Sequence, residues 1–213
     1  MAPLQTYNNL PGKKREIIFQ AALNEFSENG YQGASINTII QNIGIAKGSI
    51  YQYFGDKKGL FLYIFSTAME LVKNNLRHVR ESTKHEPLST RLEKTLTAGV
   101  HFINENPVVY RLYIKILAES SMPFRDEILS SLRQYSFDYI FSLLEDAKNK
   151  GELKSSTDLT TVGFIIDAVM DRFLIYRAIE KSDCGLGIFN ADNNTINAWV
   201  TSIVSVLCNG VTE

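Results

Sequence analysis

The chain has 213 residues, 45% hydrophobic and 21% charged, with 22 Lys and Arg against 23 Asp and Glu for a net charge of −1. This balance supports a sizeable core and excludes a disordered or supercharged chain. No apolar run approaches the roughly 18 residues that cross a bilayer, the segment MAPLQTYNNLPGKKRE lacks the apolar core of a secretory leader, and the expected location is the cytoplasm with no membrane partner.

Ile17, Ile18, Ala21, Ala22 and Phe26 recur at three- and four-residue spacing and predict a helix over 14–29. Gly30 should stop it as a residue able to take positive φ. Ser35 is placed to cap a short helix over 36–42 by offering its hydroxyl to exposed N–H groups. Gly44 breaks the chain, and another short helix is predicted over 46–53. Asp56 is the next N-cap, opening a long amphipathic helix through Leu60, Ile64, Ala68, Leu71 and Leu76.

Pro87 starts a helix carrying Leu92, Leu96, Val100 and Ile103, which Asn106-Pro107 breaks. Further helices are predicted over 108–118, 124–150, closed by Gly151, and 159–179, apolar nearly all round and so expected to be buried on several sides. A loop over 182–194 precedes a last helix over 195–207. Nothing alternates with period two for long enough to make a strand. The expected fold is all-α, with about nine helices. A helix-turn-helix domain is expected over 1–60 and a larger helical domain over 61–213.

Charge divides unevenly between these parts. Residues 1–60 carry six cations and four anions, a net of +2, leaving 16 cations and 19 anions, a net of −3, for 61–213. A basic head on an acidic body suits a nucleic-acid module joined to something else.

The segment 14–61 carries the chemistry. Ile36, Ile39, Ile43, Ile45 and Ile50 can form a small core while Lys47, Gly48, Ser49, Gln52 and Lys57 stay outside. Gly48 lets the backbone approach a phosphate, and Lys47 and Lys57 are point charges for phosphates. Ser49, Tyr51, Gln52 and Tyr53 supply hydrogen-bonding tips, the tyrosine rings adding apolar contact to sugars or thymine methyls. The plainer alternative is a helical hairpin with surface lysines.

The run from Arg15 to Phe26, then Gly30-Tyr31, Ser35-Ile36, Ile39, Ile43-Gly44-Ile45-Ala46-Lys47-Gly48-Ser49-Ile50-Tyr51-Gln52-Tyr53-Phe54, Lys57 and Leu60 resembles the DNA-binding domain of TetR/AcrR-family transcriptional regulators. The Gly-x-x-x-Gly-x-x-Tyr-x-Tyr-Phe portion is its most specific part. Ile40 and Ile43 depart from the family's common alanines. Ala46 replaces a frequent serine and cannot cap, at a cost of about 0.5–2 kcal/mol. The resemblance implies that Ser35 caps a helix beside the DNA backbone, and that Lys47, Tyr51, Tyr53 and Lys57 contact phosphates or base edges. It places Gly48, Ser49 and Gln52 on the recognition helix as candidates for direct readout, with Phe54 in the core.

A regulator of this kind would be a homodimer, because one recognition helix reads too few base pairs. By the resemblance the last two helices make the interface, through Val162, Ile166, Val169, Phe173, Trp199, Ile203 and Val206. The middle helices would hold a small-molecule effector, with Phe102, Tyr110, Tyr113, Tyr139, Asp167 and Asp171 as candidate contacts. Asp167 and Asp171 stand one turn apart in an apolar helix and need partners. Arg111, Lys115 or Arg172 could supply them, or one carboxylate could favour a cationic ligand.

The expected function is therefore a ligand-responsive repressor that binds a palindromic operator and is released by its effector. An activator uses the same module. A catalytic role lacks its motifs: His78, His85 and His101 form no metal-binding pair, and no nucleophile elbow, phosphate loop or Cys-x-x-Cys occurs. Cys184 and Cys208 have no metal-ligand spacing, and neither metal nor cofactor is expected. The remaining rival is a helical small-molecule-binding protein or adaptor without DNA activity.

Overall fold

The structure is a computed structural model that describes residues 5–209, in which helices are the regular elements and none is long and apolar enough to cross a membrane. The chain divides into two compact units: residues up to Lys73 with Asn106–Leu129, and Asn74–Glu105 with the chain from Ser130 onward.

The first unit opens with a short helix not anticipated from the sequence, α1 (Gln5–Asn8), followed by α2 (Gly12–Gly33). Gly30 breaks α2 with φ 70° and ψ −178°, as its predicted role as a stop requires. Helix α3 (Ile36–Ile43) is capped by Ser35, whose hydroxyl accepts from the Thr38 N–H at 3.4 Å, and ends on Gly44 in the left-handed region. Helix α4 (Lys47–Phe54) follows without a side-chain cap at Ala46. Asp56 then accepts from the Gly59 N–H at 2.7 Å to open α5 (Lys57–Ser82). Ile18, Leu23, Phe26, Ile39, Ile50, Leu60, Phe61 and Ile64 are fully buried here, with Phe26 edge-on to Phe61 at 5.0 Å. Helix α7 (Pro107–Ala118) packs along α2 and buries Val109, Leu112 and Ile116.

The second unit takes the end of α5, α6 (Leu88–Glu105), most of α8 (Arg125–Asn149), α9 (Leu159–Ala178) and α10 (Asn193–Asn209). Leu92, Leu96, Leu143, Leu144, Ile166, Val200 and Val204 form its core. Asp158 caps α9, accepting from the N–H groups of Thr160 and Thr161. The expected loop before α10 is more ordered than its composition suggests. A 3-10 turn (Glu180–Ser182) leads to Asp183, whose buried carboxylate accepts from Gly187 and Ile188 N–H at 2.8 Å each.

Helix α9 departs from the expectation of burial on several sides. Ile166, Met170 and Phe173 face the core, while Phe164 is 65% exposed and Ile165 is exposed beside it. An all-round apolar helix here has one face in the protomer and one face bare.

Candidate nucleic-acid interface

Helix α3 packs on α2, and α4 packs on α3 and on α1; Ile36, Ile39, Ile40 and Ile50 are all buried here, with Ile43 and Ile45 half-buried at the turn. Of the two isoleucines that depart from alanine, Ile40 is buried and Ile43 half-buried. Gly44 makes the turn with φ 65° and ψ 36°, a region where a side chain costs energy.

This arrangement sorts the candidate DNA contacts. Gly48, Tyr51 and Gln52 lie exposed on α4, Tyr51 at 43%, and a Cβ on Gly48 would meet open space. Ser49 is half-buried. Lys47 opens the helix, but its side chain lies outside the described residues. Tyr53 turns inward instead: it is 8% exposed, with its ring 5.8 Å from that of Tyr7. Phe54 is buried next to it, as expected.

Ser35 and Lys57 are engaged within the protein. The Ser35 N–H donates to the buried Glu25 carboxylate at 2.8 Å, besides the hydroxyl cap on α3. The Lys57 ammonium donates to the Gln32 carbonyl at 3.0 Å and sits 5.2 Å from the centre of the Tyr31 ring. Neighbouring Lys58 lies over Phe124 at 5.0 Å.

Several supporting residues carried no signal in the sequence. Tyr7 is buried against Tyr53, Phe54 and Tyr63, and burial together with the Tyr63 hydrogen bond pushes its phenol pKa up. Thr6 Oγ1 donates to the Gln52 carbonyl at 3.4 Å, so α1 lies directly against the recognition helix. Glu119, at the end of α7, accepts from the N–H groups of Tyr31 and Gln32 at 2.6 Å each. A stretch of four helical residues among Asn, Pro and Gly has no periodicity to detect, and a carboxylate 88 positions away from its partner has no local spacing.

The candidate effector residues divide between the units. Tyr110 and Tyr113 stack edge-on at 5.5 Å on α7 in the first unit. In the second, Phe102 is half-buried, and Tyr139 is buried with its hydroxyl 3.1 Å from Thr95 Oγ1, burial raising its pKa. The partners of Asp167 and Asp171 correct the expectation. Arg133 on α8 lies 4.0 Å from Asp167 and 3.3 Å from Asp171, and Ser136 donates to Asp167. Arg111 pairs with Glu28 at 3.7 Å, and Arg172 lies over Tyr176.

The candidate interface residues also divide. Ile166, 1% exposed, and Phe173 are core residues of the protomer and not bare interface residues, Phe173 lying beside Trp199. Val162, Val169, Trp199 and Ile203 are half-buried, while Val206 is 76% exposed. Phe164 and Ile165 are the large bare apolar groups of α9. Among the described residues no cluster of three or more His, Cys, Asp or Glu is arranged to hold a metal.

The family model for bacterial regulatory proteins of the tetR family matches residues 18–64, the segment from mid-α2 into α5. A fatty acid metabolism regulator protein from Bacillus subtilis is 24% identical over 198 residues, covering 91% of this chain and 93% of its own. The HTH-type transcriptional repressor AcnR from Corynebacterium efficiens is 25% identical over 184 residues, covering 83% and 88%. A crystal structure of a TetR family transcriptional regulator from Chloroflexus aurantiacus superposes with a TM-score of 0.74 at 28% identity over the whole of both chains.

Proposed function

Because the chain belongs to the TetR family of bacterial transcriptional regulators, we propose that it represses its targets as a homodimer that places α4 in successive major grooves of a palindromic operator. The observation that carries this reading is the exposed face of α4, where Gly48, Tyr51 and Gln52 stand clear of the protein next to a rigid glycine turn. Gln52 is suited to bidentate pairing with a base edge, and Tyr51 to a phosphate or a thymine methyl. Half-buried Ser49 borders the same surface, and Lys47 begins the helix. Tyr53, Ser35 and Lys57 serve it from behind by fixing α1, α3 and α5.

The functional division we propose keeps 1–60 as the DNA-binding module and 61–213 as the effector-binding and dimerisation part. The dimer face is built from Phe164, Ile165 and Val206, with half-buried Val162, Val169, Trp199 and Ile203 at its margin. Exposed Ala168 and Ala198 allow close helix approach there. A bare apolar face of this kind calls for a covering partner.

Induction is a population shift: the effector binds the DNA-incompetent arrangement more tightly, typically by about 1–3 kcal/mol. Helix α5, whose residues belong to both units, is the proposed carrier. Asp167 and Asp171 have Arg133 and Ser136 as partners, which favours an uncharged or apolar effector over an amine. The Bacillus relative's name makes fatty-acid-derived compounds the first class to screen. Selection of bound duplexes from a random pool tests the central reading. A two-fold symmetric product is expected; the absence of salt-dependent affinity for any duplex would return the chain to a helical small-molecule-binding protein.

A further inference from the structure

Six cations lie in the first 60 residues, and the structure accounts for them unequally. Lys57 and Lys58 are held over aromatic rings, Lys57 also by the Gln32 carbonyl. Lys13, Lys14 and Arg15 are all exposed and form no ion pair among the described residues. The adjacent carboxylate, Glu16, is occupied by the Gln20 side chain at 2.7 Å.

Their position is costly for the fold. They occupy the first turn of α2, which has no acidic residue and no side-chain cap, so three positive charges crowd the positive end of the helix dipole. Immediately after Arg15 the exposed side of α2 turns acidic at Glu16, and it is acidic again at Glu28, so the basic patch is confined to this one turn.

The same turn is tied to the recognition helix. The Tyr7 hydroxyl donates toward the Arg15 carbonyl at 3.3 Å, while the Tyr7 ring packs on Phe54 at 4.8 Å and on Tyr53 at 5.8 Å. Thr6 reaches the Gln52 carbonyl. A buried aromatic cluster therefore fixes the basic turn beside the end of α4 that carries Gln52.

We propose that Lys13, Lys14 and Arg15 form a second phosphate-binding contact, gripping the DNA backbone next to the groove that α4 enters. The inference rests on the reading of α4 as the base-reading helix. It adds a sequence-independent electrostatic hold, which widens the footprint of each protomer beyond the reach of Gln52 and Tyr51. An unfavourable cluster on the free protein becomes favourable when polyanionic DNA supplies the missing counter-charge.

The test is a salt titration of binding to a random-sequence duplex, with full-length wild type, the triple variant Lys13→Ala/Lys14→Ala/Arg15→Ala, and Gln52→Ala. The triple variant should lower the slope of log affinity against log salt by about two to three units, near 0.9 for each phosphate that is no longer neutralised. Without DNA it should melt no lower than wild type, since the removed charges opposed the helix dipole. Gln52→Ala should keep the wild-type slope and instead change which sequences a random pool yields. A triple variant that keeps the slope to within about half a unit overturns the proposed grip and leaves the α4 reading standing. Wild type without salt-dependent affinity for the duplex overturns both.

Discussion

Glu119 fills the space that a side chain on Gly30 would need: a Cβ built at Gly30 falls 2.5 Å from Glu119 Oε2. Gly30 also holds φ 70° with ψ −178°, a conformation that is almost confined to glycine. The bend it makes turns the Tyr31 and Gln32 N–H groups onto that carboxylate. Gly30→Ala should therefore cost about 1–3 kcal/mol in backbone strain alone and more by displacing Glu119. Glu119→Gln, which keeps an acceptor but loses the charge, should cost less, about 1 kcal/mol. Urea denaturation of both variants checks the order.

Direct readout makes a prediction of different character. Gln52→Ala removes an exposed amide without touching the core. It should leave thermal stability unchanged and relax the preference at one base pair per half-site, a loss of about 1–3 kcal/mol in discrimination. Sequencing of the duplexes retained by wild type and variant reads this out, and identical preferences would place the base-reading group elsewhere on α4.

The bare face of α9 and α10 separates assembly from folding. Phe164→Glu with Val206→Glu puts charge on two exposed side chains, so each protomer should fold while sedimentation shows a monomer. Affinity for a palindromic duplex should fall by at least about tenfold, because each half-site then binds alone. Ile166→Ala should behave in the opposite way. It opens a cavity in the protomer core, costing about 2–5 kcal/mol, and leaves the folded fraction dimeric.

Acid stability has a local source at two helix caps. The Thr161 hydroxyl, followed by the Thr160 N–H, holds the Asp158 carboxyl below the usual carboxylate range; the Thr195 N–H does the same for Asp192. A carboxylate depressed in the folded state stabilises above its unfolded value of about 3.9 and loses that contribution as pH falls through the lower folded value. The double variant Asp158→Asn/Asp192→Asn should thus melt below wild type at neutral pH. Melting curves should draw together as the solution is acidified past the carboxylate range.

Local chemistry was readable from the residues, and long-range pairing was not. Gly30, Ser35, Gly44 and Asp56 announce their turns and caps because each acts on backbone groups within a few positions. Arg133 could not be matched to Asp167 and Asp171 in advance, because the register of α8 against α9 decides it. Periodicity likewise failed on α9. When both faces of a helix are apolar, spacing cannot tell which one the protomer covers, so Ile166 and Phe164 look alike until the packed core distinguishes them. Of the DNA-contact candidates, Gly48, Tyr51 and Gln52 stand outward as read, whereas Tyr53 turns in toward a Tyr7 that no pattern had marked.

The seating of α1 against α4 bears on how the protein is handled in the laboratory. An affinity tag fused ahead of Gln5 would be tethered beside Thr6 and the Gln52 carbonyl. Bulk or acidity in such a fusion would crowd the reading head and mimic a defective operator. Purification handles are better carried at the opposite terminus, or cleaved before any affinity is measured.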